Sequence, residues 1–274
     1  MALILNLETA TKTCSVALSD AGQILAKKEL TSENYSHAEK LNLFIQEVLE
    51  SAGISINKID ALAVSAGPGS YTGLRIGTST AKGICYALDK PLIAINSLQA
   101  LSAQVIRREA DCIYAPMFDA RRMEVYTALF DHELNEVLTT DAIVMDTTFC
   151  AEIDEKIIYF GPGAEKCREI LSEDRFEYAK VEVSAVGMAK LAEQQFISNN
   201  FVDVAYFEPA YLKDFVAGKP KKIIYCSIKT RTTSFDWSVV ISMKMSPDGR
   251  SLLSNIFFPS CIINGRSICC PREL

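Results

Sequence analysis

The sequence predicts an α/β protein in which one unit, a small sheet covered by helices, occurs twice. Two observations carry the prediction. An apolar strand runs into Gly-Pro-Gly and out into a helix at Ala61–Gly77, and Ile157-Ile-Tyr-Phe160 runs into Gly161-Pro-Gly163 in the same way. Each junction also follows a strand that ends in an acid, Leu3–Leu7 before Glu8 and Ile113–Phe118 before Asp119, and Ala17-Leu18-x-Asp20 is echoed by Ala128-Leu129-x-Asp131 at the same offset. Hairpin first and junction second, in both places, is the order an internal duplication leaves.

The first half opens with a strand from Ala2 to Leu7, with Cys14–Leu18 and Ile24–Leu30 as antiparallel partners turning through Asp20-Ala-Gly22. Between the first two lies Glu8-Thr-Ala-Thr-Lys-Thr13, an acid followed by alternating hydroxyls. Such a loop can cradle phosphate through backbone N–H and hydroxyl groups, and it is equally ordinary threonine-rich β structure. The glycine of the tightest phosphate hairpins is absent. Ser36 and Glu39 have capping-box spacing, and Leu41, Phe44, Ile45, Val48 and Leu49 then repeat at helical intervals up to Gly53. His37 stands at that helix start with Leu41, not a second histidine, four residues on, and His132 is the only other histidine, so a helical zinc pair is not expected.

Gly67, Gly69, Ser70 and Thr72 make up the central turn, and Ser70 reads as a turn or helix-cap residue. Gly73 is followed by Leu74 and Arg75, so a Walker A loop fails, and Thr72 occupies the third glycine position of the dinucleotide fingerprint, so that fails too. Gly73, Gly77, Ala81 and Cys85 then form a stripe of small side chains. Each interior glycine costs a helix roughly 1 kcal/mol, so the stripe expects a close neighbour, either the chain's own sheet or a partner. Pro91–Ile95 is a further strand, and Ser97 opens a helix toward Arg107-Arg108.

In the second half, Gly161-Pro-Gly163 is expected to lead into a helix carrying Cys167, Ile170 and Leu171, and Ala185–Phe196 reads as another helix. The expected organisation is an N-terminal lobe at 1–105, a C-terminal lobe at 106–205, an aromatic-rich closing segment at 206–222, and an atypical tail at 223–274. The tail has six Lys/Arg against three Asp/Glu, hence +3 against −9 for the rest, and four of the nine cysteines. Its strand-like runs include Ser238 to Met245.

A net charge of −6 argues against unaided gripping of nucleic acid phosphates, so Arg107-Arg108 and Arg121-Arg122 read as solvated surface before they read as RNA contacts. Glu8 interrupts the N-terminal apolar run before a signal core forms, no run reaches membrane-spanning length, and nine cysteines without framework spacing fit reduced thiols. A cytoplasmic location is the expectation.

The motif Gly67-Pro-Gly-Ser-Tyr-Thr-Gly-Leu-Arg-Ile-Gly77, with Leu5-Asn-Leu-Glu-Thr-Ala-Thr11, Cys14-Ser-Val-Ala-Leu18 and Tyr211-Leu-Lys-Asp214, resembles the bacterial TsaB (YeaZ) family over about residues 1–222. The resemblance implies a duplicated two-lobed fold of the actin-like/Hsp70-like (ribonuclease H-like) kind. It implies a non-catalytic subunit that binds and activates a catalytic paralogue, TsaD, beside an ATPase, TsaE, in the synthesis of N6-threonylcarbamoyladenosine in tRNA, and that self-associates when alone. No catalytic residue, metal or cofactor is then expected, beyond weak or vestigial nucleotide binding at Glu8, Thr9, Thr11, Gly67, Gly69, Ser70 and Thr72. The partner surface is expected at Leu41, Phe44, Ile45, Val48, Gly73, Gly77 and Ala81. The paralogue's metal is held by paired helical histidines, which His37 and Leu41 do not reproduce. An ATP-dependent phosphotransferase is the alternative, offering Glu8 and Asp119; a peptidase lacks both a zinc signature and a Gly-x-Ser-x-Gly elbow.

Overall fold

The computed structural model describes residues 1–32, 36–105 and 112–213, together with the backbone of four short strands further along. The chain divides into two compact units, Met1–Phe215 and Val216–Leu274.

The first unit holds two five-stranded sheets. In one, β1 (Leu3–Glu8), β2 (Thr13–Asp20) and β3 (Gln23–Thr31) form an antiparallel meander, and β4 (Ala61–Ser65) and β5 (Leu92–Ile95) add in parallel on the other side of β1. In the other, β6 (Cys112–Asp119), β7 (Glu124–Phe130) and β8 (Glu136–Val144) form the meander, and β9 (Lys156–Phe160) and β10 (Phe176–Ala179) add in parallel beyond β6. The orders β3-β2-β1-β4-β5 and β8-β7-β6-β9-β10 are the same topology twice. Short hairpins suffice for the antiparallel links, whereas the parallel steps need crossovers. In the first half these are α1 (His37–Ala52) between β3 and β4, and α2 (Tyr71–Leu88) between β4 and β5.

Strand alternation sorts the side chains. On one face of the first sheet Leu5, Leu7, Val16, Leu18, Leu62 and Val64 meet Leu41, Phe44, Ile45, Val48 and Leu49 of α1 and Ala81 and Cys85 of α2. Each large side chain buried there contributes roughly 1.5–3 kcal/mol. On the other face Ala17, Ala61 and Ala63 leave room for α4 (Ala189–Ile197) and the 3-10 turn Ala185–Met188 before it, with Ala185, Met188, Leu191 and Ala192 packed down. The helices are exchanged between halves. α4, late in the chain, covers the first sheet, while α3 (Ser97–Ser102) presents Leu98 and Leu101 to Tyr114, Phe118, Phe130 and Phe160 of the second.

Several expectations are corrected. Gly161-Pro-Gly163 leads only into a 3-10 turn, Glu165–Cys167, because the chain bends back to bury Ala164, Cys167 and Leu171 under β9 without building a crossover helix. The helix expected at Ala185–Phe196 begins as a 3-10 turn and becomes α-helical at Ala189. Ser36 makes no side-chain cap; its carbonyl accepts from the Glu39 and Lys40 amides instead. The helix opened by Ser97 is capped one residue earlier, where Asn96 Oδ1 accepts from the Leu98 and Gln99 amides, and it ends at Ser102; Arg107-Arg108 lie outside the described residues.

In the second unit β11 (Val240–Met245) pairs antiparallel with β12 (Ser251–Ile256), and β13 (Ile262–Ile263) with β14 (Arg266–Ser267). The strand-like run in the tail is therefore a strand from Val240 onward.

Candidate functional site

The two segments singled out as phosphate loops lie side by side, because β1 and β4 are parallel neighbours and their C-terminal ends open on the same edge. The loop after each strand then decides the site. β4 leads into Gly67-Pro68-Gly69 and Ser70, whose hydroxyl accepts from the Gly73 amide at 3.3 Å as the α2 cap. β1 leads into Thr9 and Ala10, and the Ala10 carbonyl accepts from the Ser70 amide at 2.6 Å. A helix N-terminus is a ready anion site only while its N–H groups point at open space. Here the neighbouring loop supplies the acceptor.

The contact is close enough to require glycine. A methyl at Gly69 would stand 2.5 Å from the Ala10 carbonyl oxygen, one at Gly73 would overlap the Thr9 carbonyl oxygen, and one at Gly77 would overlap the Thr9 hydroxyl. The small-residue stripe is thus occupied by the chain's own β1–β2 loop. All seven residues expected to meet a partner, Leu41, Phe44, Ile45, Val48, Gly73, Gly77 and Ala81, are buried, the apolar five of them in the core of the first sheet. Those positions face inward, and the accessible faces of α1 and α2 are the opposite ones.

Glu8, the acid at the end of β1, is fully buried. Its Oε1 accepts from the Ala10 amide at 2.6 Å, and Oε2 has no partner among the described residues. Burial pushes its carboxyl up to about 7, while hydrogen bonds from Ala10, Ser65 and Thr9 pull it back down. Burial, with the nearby Glu8 charge, also pushes the Cys14 thiol up to about 11. Thr9 donates its amide to Ser65 Oγ, the Thr11 hydroxyl accepts from the Thr13 amide, and the Thr11 carbonyl meets His37 Nε2 at 2.8 Å. His37, read from sequence as an ordinary first-turn residue, ties α1 to this loop, and burial lowers its pKa against the raising effect of the Thr11 bond. Four residues on, Leu41 lies in the core where a metal-binding pair would need its second histidine. Of the proposed phosphate ligands only Thr72 is well exposed.

Asp119, the matching acid of the second half, is exposed and differently employed. It is paired with Lys166, and its Oδ1 accepts from the Arg121 amide. Arg121 and Arg122 form the β6–β7 turn, both at positive φ (68° and 49°). Of the two acids, one is sealed in the first sheet and one is paired with a lysine at a hairpin. Sequence reading missed the closing segment's part as well. Gly67 has φ 103°, and a side chain there would stand 2.5 Å from the Ala210 carbonyl oxygen. The only cue was the aromatic run around Tyr206 and Tyr211.

A duplicated two-lobed α/β fold of the actin-like/Hsp70-like kind, with its strand-end loops closed on one another, defines the class of the molecule. Residues 25–228 match the family model described as TsaD: tRNA N6-adenosine threonylcarbamoyltransferase. The tRNA threonylcarbamoyladenosine biosynthesis protein TsaB of Escherichia coli (strain K12) is 30% identical over 225 residues, covering 79% of this chain and 96% of that one. A tRNA N6-adenosine threonylcarbamoyltransferase of Clostridium perfringens (strain SM101 / Type A) is 45% identical over a shorter stretch of 71 residues, 26% of this chain and 21% of that one. The solved structure of YeaZ from Pseudomonas aeruginosa superposes with a TM-score of 0.68 at 25% identity, over 77% of this chain and all of that one. The chain belongs to the TsaB (YeaZ) family.

Proposed function

We propose that this chain is the non-catalytic scaffold and activator subunit of a tRNA N6-threonylcarbamoyladenosine-forming complex, and that it binds and activates a TsaD-like catalytic paralogue. One observation carries the reading. The strand-end loops that would have to receive a phosphate fill each other instead, with the Ala10 carbonyl on the Ser70 amide and Glu8 sealed beneath. Catalysis at such a junction would require it to come apart. A TsaE-like ATPase and tRNA then join through the complex, the isolated chain self-associates, and any nucleotide binding here is weak or vestigial.

The outward face of α2 supports partner binding. Ser79, Gly83 and Ala87 are exposed in one row, and a methyl at Gly83 would have no neighbour within 4 Å. Nothing within the chain asks for glycine there, although it costs the helix roughly 1 kcal/mol. Tyr86 on the same helix is 87% exposed, and Lys82, Gly83, Tyr86, Asp203, Val204 and Ala205 line a groove of about 560 Å³, with Tyr206, 84% exposed, next to Ala205 in the chain. A low ridge flanked by tyrosines suits close approach of a helix from another protein.

The test is co-purification with the paralogue using Gly83→Trp, which adds bulk at a solvent-facing position. Loss of the complex by a variant with unchanged thermal stability supports the reading, and an intact complex removes this face from it. ATP turnover by the purified chain would instead favour the phosphotransferase.

A further inference from the structure

Residues 202–213, the last described stretch of the first unit, contain no helix or strand, and yet they are tied down along their length. Val202 makes an isolated bridge to Leu92, its amide donating to the Leu92 carbonyl at 2.9 Å. Lys82 of α2 donates to the carbonyls of Ala205 and Phe207 at 2.9 and 3.1 Å, and Val204 and Phe207 pack on the first core. The Ala210 amide donates to the Ala66 carbonyl at 2.7 Å, directly over the Gly67 turn, and the Tyr211 ring lies 4.6 Å from that of Tyr71. All of these ties are to the first half.

Two residues later the segment reaches the second sheet, where, among the described residues, Lys213 holds it. Its ammonium pairs with Glu124, donates to the Ala120 carbonyl at 3.3 Å and sits 5.7 Å from the Tyr126 ring centre. This tie spans the two halves, and as a partly exposed ion pair it is open to competition from water and salt.

We infer that residues 202–213 are a strap, anchored on the first half and latched to the second by Lys213, and that opening this latch is what lets the strap lift from the Gly67 junction. The device does not depend on the proposed function. It places control of the junction at the β6–β7 hairpin, in the opposite half of the molecule.

Amide hydrogen exchange on the full chain tests it, comparing the native protein with Lys213→Ala, Glu124→Gln and Lys213→Arg. Opening free energy sets the exchange rate. Lys213→Ala and Glu124→Gln are each expected to speed exchange at the Ala210 amide by about two- to fivefold, leaving β1 and β4 unchanged, and Lys213→Arg, which keeps the charge opposite Glu124, is expected to slow it back toward the native rate. Added salt should speed the same amide in the native protein and have little effect in Lys213→Ala. An unchanged Ala210 amide in Lys213→Ala, or an increase spread evenly over both sheets, would overturn the latch.

Discussion

Three glycines on one helix separate packing from propensity, because their surroundings differ while the substitution is the same. Replacing an interior helical glycine with alanine gains roughly 1 kcal/mol. At Gly83 the new methyl has no neighbour within 4 Å, so Gly83→Ala keeps the whole gain, about 2–4 °C in Tm for a domain of this size. At Gly77 the methyl meets the Thr9 hydroxyl, and overpacking of about 1–3 kcal/mol leaves a net loss of roughly 0–2 kcal/mol. At Gly73 it meets the Thr9 carbonyl oxygen, a backbone atom that no rotamer change can move, so the net loss is about 2 kcal/mol or more. Thr9→Ala removes the hydroxyl and leaves the carbonyl. In double-mutant cycles it should therefore rescue Gly77→Ala by about 1–2 kcal/mol and fail to rescue Gly73→Ala. Thermal and urea melts followed by circular dichroism read the native protein and every variant. The reasoning is refuted if Gly73→Ala is as stable as Gly83→Ala, or if Thr9→Ala rescues both clashes alike.

Other expectations rest on the same contacts. The Glu8 carboxyl, pushed up to about 7 from its ordinary 4.5, holds its proton more tightly in the native state than in the unfolded chain. Its stabilising contribution is full below about pH 4.5 and lost as pH rises to about 7, a span of about 3 kcal/mol. Plotted against pH, the stability of the native protein minus that of Glu8→Gln should fall across that window; a flat difference would show Glu8 ionised and satisfied. His37 acts in the opposite sense: burial lowers its pKa, so the stability it provides above about pH 6.5 is lost as pH falls, and the subtraction cancels that effect. Asn96→Ala removes both the α3 cap and the bond to Thr140 Oγ1, and should cost about 1–2 kcal/mol in a urea melt. Gly67→Ala forces a side chain into positive φ against the Ala210 carbonyl and should lower the melting temperature by several degrees, more than Gly53→Ala, where φ is also positive but the space is open.

The duplication was legible because it rests on local chemistry that repeats: an apolar strand must stop, a Gly-Pro-Gly turn stops it, and an acid marks the strand end. Helix α1 was legible from its stripe, since Leu41 to Leu49 can be buried together only on one helical face. β8 and β10 were not. β8 is an edge strand whose residues from Glu136 to Val144 are mostly exposed, so no apolar alternation betrays it. The same limit applies to the stripe at Gly73, Gly77 and Ala81. Periodicity revealed that something approaches closely, and only the fold shows that it is Thr9. Glu8 illustrates the converse, since its identity suggested chemistry while its complete burial is a property of how Ala10 and Ser70 meet. Gly83 lies off that stripe, and no periodicity marks it; it stands out only because nothing in the fold lies within 4 Å of where its side chain would be.

The most direct test of the account is mass-spectrometric measurement of N6-threonylcarbamoyladenosine formed in tRNA by a reconstituted system. Reactions containing tRNA, ATP, threonylcarbamoyl-adenylate as donor, the TsaD-like paralogue and the TsaE-like ATPase are run with this chain, without it, and with Gly83→Trp, and this chain is also tested alone with donor and tRNA. The account predicts modification only when paralogue and native chain are together, near-background yield with Gly83→Trp, and none from the chain alone. Modified tRNA formed by this chain without the paralogue, or full yield in its absence, would contradict it.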